Sequence, residues 1–171
     1  MNRIAAVVAG LSLAFVGTSA TIAGTINVPG DQPTIAAAIS ASVNGDVINI
    51  DGGTYNEHSL NPGGKAITIQ GTLNGDGSLA TTIDAQQGGS VFVIDSGEDD
   101  GTLIKNLFIT NGANNSGGGI YCFQSSPTIS GCTISGNTAG FGGGIYCNDS
   151  SPTITGCTIS GNTAYFGGGI Y

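Results

Sequence analysis

Gly-Gly-Gly-Ile-Tyr-Cys at Gly117–Cys122 returns unchanged at Gly142–Cys147 and begins a third time at Gly167–Tyr171. Between these copies, Cys132-Thr-Ile-Ser-Gly-Asn-Thr-Ala139 recurs without change at Cys157–Ala164, and Ser125-Ser-Pro-Thr-Ile129 recurs at Ser150–Ile154. Ile120, Ile145 and Ile170 are each 25 residues apart. A fixed period of this length is the mark of a solenoid, in which one repeat cannot cover its own apolar row and must stack on the next. Within a repeat the alternation is that of strands. Ile120 and Cys122 share one face, and Cys132 and Ile134 share another, with Thr133 and Ser135 opposite. Parity breaks between Ile129 and Cys132 and again between Ile134 and Asn137, which puts corners at Ser130-Gly131 and Gly136-Asn137. Gly and Asn tolerate the left-handed backbone that such corners need. The triple glycine makes a third corner. Three short sides closing in 25 residues predict a coil of parallel β-structure with like residues in columns. Asn137 and Asn162 would then form an amide ladder.

The pattern fades upstream without vanishing. Ile104, Leu107 and Ile109 precede Ile129, Cys132 and Ile134 by one period, so regular repeats run over 101–171. Val47–Ile50, Ala66–Gln70, Thr81–Ile83 and Val91–Ile94 are short β-type runs bounded by Gly, Asn and Asp, predicting irregular coils over 46–100. Residues 31–45 read as a short helix that caps the first coil. Asp31 or Gln32 would be its N-cap, Pro33 would lie in its first turn, Asn44-Gly45 would stop it, and Ile35 and Ile39 would face the coil. The fold class is therefore all-β: a right-handed parallel β-helix with an N-terminal capping helix, over 24–171. The sequence stops at Tyr171, five residues into a repeat, so a longer protein continuing from it is expected.

Residues 1–23 read as a secretory signal: Asn2 and Arg3, an apolar run from Ile4 to Val16, then small residues with cleavage near Ala20 or Ala23. The run is too short to span a bilayer, and no later segment is a candidate transmembrane helix. The chain has 171 residues, a length that fits one domain. Its 31 glycines show no Gly-X-Y period, which excludes collagen. At 39% hydrophobic and 8% charged, it is not a disordered chain. Three basic residues against 11 acidic ones, a formal net charge of −8, exclude nucleic acid as a partner. Signal removal would take the only arginine. An exported protein of this kind belongs outside the cell or on its surface.

Pro33–Asn56, ending in Gly45-Asp-Val-Ile-Asn-Ile-Asp-Gly-Gly-Thr-Tyr-Asn56, resembles the start of right-handed parallel β-helix proteins of the pectin-lyase-like superfamily. The Gly-Gly-Gly-Ile-Tyr and Ile-Ser-Gly-Asn elements resemble the polymorphic outer-membrane protein repeat, with Gly in place of Ala and Ile134 or Ile159 in place of Phe. The first resemblance implies a pectate-lyase-like enzyme as one alternative, with calcium and a basic residue acting on an acidic polysaccharide. The second implies a structural or adhesive protein of the outer membrane, meeting polysaccharide or a neighbouring cell surface.

The residues favour the second role. Without Arg3, only Lys65 and Lys105 could act as base, and neither sits in a recognisable catalytic motif, so no catalytic residue is assigned. Asp95, Glu98, Asp99 and Asp100 form the one acidic cluster, a candidate calcium site on a loop. Tyr121, Tyr146 and Tyr171 should form an exterior column, a candidate glycan-binding surface. Cys122, Cys132, Cys147 and Cys157 lack zinc-site spacing and would stack as free thiols, since side chains in a parallel column point the same way and fit disulfide torsions poorly.

Overall fold

The computed structural model of the protein describes residues 23–171, so the expected signal segment, apart from Ala23, lies outside the described residues. The chain winds as a solenoid in which every strand-to-strand pairing is parallel. One side is a six-stranded sheet built from Thr25–Val28, Val47–Ile50, Thr68–Gly71, Leu103–Lys105, Thr128–Ser130 and Thr153–Thr155. The next side stacks Gly53–Tyr55, Thr81–Asp84, Phe108–Thr110, Thr133–Ser135 and Thr158–Ser160. A further side stacks Phe92–Ile94, Ile120–Phe123 and Ile145–Asn148, with Leu60 bridged to Phe92 and Ile170 to Ile145. The regular repeats pair at their own period: Ile120 with Ile145, Ile129 with Ile154 and Ile134 with Ile159.

The three-sided expectation holds only for the first coils. From the coil that begins at Leu103 on there is a fourth side, made by Ala113–Ser116, Thr138–Phe141 and Thr163–Phe166. The added side lies between the expected corners at Gly136 and Gly142; the corner that the three-cornered reading lacks falls instead at Gln124 and its equivalent Asp149, both in left-handed backbone (φ +49° and +47°). No glycine marks this corner, and so Ile120–Phe123 and Thr128–Ser130 read in sequence as one side. The other corners lie where parity broke, with Gly131 at φ +60° and Gly136 at +72°.

Sequence pattern and packing coincide in the core. Ile48, Ile69, Ile104 and Ile129 form one fully buried column, and Ile83, Ile109 and Ile134 another. Each buried isoleucine contributes about 1.5–3 kcal/mol relative to exposure. Asn137 is one of several buried polar residues and is fully buried at a corner of the repeat. Its Nδ2 donates to Ile109 O (3.1 Å) and Asn162 Oδ1 (2.9 Å), and its Oδ1 accepts from Gly112 N (2.8 Å). The amide ladder thus ties three successive coils at one corner and leaves no buried polar atom of the side chain unpaired.

The triple glycine has two separate causes. Gly117 adopts φ +65°, a turn requirement. Gly118 and Gly119 are close-approach positions. A Cβ on Gly118 would lie 2.6 Å from Gly143 O, and one on Gly119 would lie 2.6 Å from Gly144 O and 2.8 Å from Ile134 Cγ2.

The N-terminal helix spans Ile35–Ala41, and Ile35 and Ile39 are buried against the first coils as expected. Its cap differs from expectation. Thr34, not Asp31 or Gln32, is the N-cap, its Oγ1 accepting from Ala37 N at 3.1 Å. Asp31 instead closes a turn on Asn27, accepting from the backbone N and Nδ2 of that residue, both at 2.8 Å. The C-cap is Ser42, ahead of the expected Asn44-Gly45 stop. A strand before the helix, Thr25–Val28, supplies the first rung.

Candidate functional site

The outward positions of the Phe92–Ile94 side form a single column: Val93, Tyr121 and Tyr146 are in register. Tyr171 continues it. The Tyr121 and Tyr146 rings stack with centroids 5.5 Å apart and planes 2° from parallel, and Tyr146 and Tyr171 stack at 5.7 Å and 1°. Phe141 and Phe166 stack beside them on the adjoining side, and Phe141 meets Tyr171 edge-on at 5.3 Å. Stacking changes what the column can offer. Tyr146 has a ring on each face, so it presents an edge and a hydroxyl to solvent. A pyranose packs its C–H face against an aromatic face, and Tyr146 has none to give.

Tyr121 differs, because the residue in register below it is Val93 and not another ring. A cleft of about 280 Å³ opens there, lined by Val93, Asn114, Asn115, Ser116 and Tyr121. Its origin is the change in coil shape. Ala113–Ser116 is the first strand of the added side, and among the described residues no strand of that side lies beneath it. Asn114 is anchored, its Nδ2 donating to Ser90 Oγ at 2.9 Å and its Oδ1 accepting from Asn115 N at 2.8 Å. The Asn115 side chain is exposed at the mouth. Burial, with Tyr146 and Asp95 adding to it, pushes the Tyr121 phenol above its ordinary value, so it stays a donor at neutral pH. Sequence reasoning reached Tyr121 but missed Val93, Asn114, Asn115 and Ser116. The one local signal was that Asn114-Asn115-Ser116 departs from Ala139-Gly140-Phe141 in the next repeat.

The acidic cluster is not gathered into one ligand set. Glu98 is buried and accepts from Gly64 N (3.0 Å), Ser96 N (2.9 Å) and Ser125 Oγ (3.0 Å). Asp95 accepts from Asn61 Nδ2 at 2.8 Å, Asp99 from Gly101 N at 3.0 Å, and Asp100 is exposed. Among the described residues, no group of three or more His, Cys, Asp or Glu is placed to hold a metal ion. Adjacency in sequence suggested a cluster, but Glu98 turns inward to satisfy loop amides.

Lys65 is near enough to Asp46 to act on its carboxyl. Lys65 Nζ donates to Ile39 O near the end of the helix, and Lys105 lies on the six-stranded sheet between Gln70 and Ser130. The four cysteines are free, with Cys122 in register with Cys147. Hydrogen bonding to Cys147 and burial push the Cys122 thiol up, and Cys157 and burial do the same to Cys132. Cys122 and Cys132 are thus inert packing groups, whereas hydrogen bonding from Cys122 and Cys132 holds the half-exposed Cys147 and Cys157 below the ordinary thiol value, Cys157 at about 6.

No curated protein and no solved structure matches the chain. The family model described as "Right handed beta helix region" matches residues 37–171, from the capping helix through the last repeat. That span is most of the sequence, and it coincides with the parallel coils described above; the chain belongs to the right-handed β-helix family.

Proposed function

We propose that this is an exported or cell-surface β-helix with a structural and adhesive role, akin to proteins built from the polymorphic outer-membrane protein repeat. The observation that carries it is the outer surface. Thr128 over Thr153, Thr133 over Thr158 and Ser135 over Ser160 repeat identical groups along the axis. Such a surface offers the same contact at each coil, which suits multivalent attachment. Few charges and an interior of stacked isoleucines suit a rigid spacer outside the cell. The enzyme alternative has less support, since Lys65 is engaged with Ile39 O at the helix end.

The test is location. Antibody labelling and protease shaving of intact source cells should find the chain on the surface or in the medium. Recovery in the cytoplasmic fraction alone would overturn the proposal. Purified protein given polygalacturonate and calcium should form no unsaturated product. A robust rise in ultraviolet absorbance would replace the adhesive reading with the lyase.

A further inference from the structure

We propose that the cleft beneath Tyr121 is a subsite for one neutral pyranose ring of an extracellular glycan; the assignment rests on the adhesive reading above. Four observations converge. The lower face of Tyr121 is the point in the column where the ring below is replaced by Val93. The cleft, about 280 Å³, lies just below the usual range of drug-sized ligand cavities, which suits a single small ring. Its wall places Asn114, Asn115 and Ser116 beside that ring face, and amide and hydroxyl groups pair with sugar hydroxyls in both donor and acceptor senses. The charge is wrong for uronates: the chain carries a net −8, and Asp95 acts on the Tyr121 phenol.

The mode is stacking of the sugar's C–H face on Tyr121, with ring hydroxyls directed at Asn115 and Ser116. Asn114, held by Ser90, positions Asn115 through its bond to the Asn115 N–H. The sugar takes the place that a tyrosine at position 93 would fill. Binding is therefore located at the step where three-sided coils become four-sided, and the rest of the column serves as support.

The chain has no tryptophan, so tyrosine emission and tyrosine ring NMR signals are readable without interference. The purified protein is titrated with methyl β-D-glucopyranoside, methyl β-D-galactopyranoside and methyl β-D-glucuronide. At least one neutral glycoside should bind saturably in the millimolar range and shift the Tyr121 ring signals, with the glucuronide weaker. Tyr121→Ser should lose binding about tenfold or more, equivalent to about 1.4 kcal/mol. Val93→Tyr should extend the ring column downward and abolish binding while circular dichroism stays unchanged, which separates a filled cleft from a misfolded chain. Tyr165→Ser, an exposed aromatic elsewhere, should bind as wild type. Absence of saturable binding by both neutral glycosides, retention of binding in Val93→Tyr, or equal binding of the glucuronide would overturn the assignment. Surface labelling with no glycoside binding would remove the subsite alone. Glycoside binding by a chain confined to the cytoplasm would remove the adhesive reading alone.

Discussion

Glu57 shows how one side chain decides the start of the solenoid. Its two carboxylate oxygens accept from Ile35 N (2.8 Å) and Ala36 N (2.9 Å), while Thr34 takes Ala37 N. The free amides of the first turn are thereby paired, and the negative charge opposes the positive end of the helix dipole. At the other end Lys65 donates to Ile39 O. A helix of seven residues, too short to be stable alone, is held at both ends by the first coil. Glu57→Ala should cost about 1–2 kcal/mol in urea unfolding; an unchanged midpoint would refute the clamp. Asp46 is the acid-sensitive counterpart. Hydrogen bonds from Val43 N and Gly24 N hold its carboxyl below the ordinary carboxylate range. A depressed folded value means that its stabilisation is complete above the unfolded value of about 3.9 and is lost as pH falls through the lower folded value. Melting temperature measured from pH 7 to pH 2 should fall on the acid side, and Asp46→Asn should flatten part of that fall.

At the scale of the element, the Gly-Gly-Gly corner is tightly constrained. Gly119 lies between the next coil's carbonyl and Ile134, and an added methyl group has nowhere to go without separating the two coils. Gly119→Ala should destabilise by about 1–3 kcal/mol, read as a lower denaturation midpoint. The same change at Gly75, where a Cβ would meet nothing within 4 Å, should be nearly silent. Comparable losses at both positions would mean that backbone entropy, and not close approach, dictates the glycines.

For the whole molecule, stability should behave as a sum over neighbouring coils. The last two coils are nearly identical at their paired positions, so the later one can take the place of the earlier one without changing the kind of contact that remains. Excising residues 126–150 should give a chain with the same β-type circular dichroism per residue. Its urea m value should be smaller in proportion to the surface no longer buried. Loss of the β signature on excision would show that the coils are not interchangeable.

The period, the inward row of isoleucines, the Asn ladder and three of the corners were legible in residues 101–171, because each depends on alternation, glycine and a repeat that sets its own register. The fourth corner was hidden because Gln124 and Asp149 enter left-handed backbone without glycine. The clamps on the helix, the inward turn of Glu98 and the cleft under Tyr121 have a different origin. They join positions unrelated by the 25-residue period, across irregular coils such as the one from Thr68 to Leu103, which carries an extra turn closed by the Leu73–Leu79 bridge. Local chemistry sets how each strand and corner forms, whereas which unlike residues meet depends on how many residues each irregular coil spends before it closes, and only the folded chain settles that.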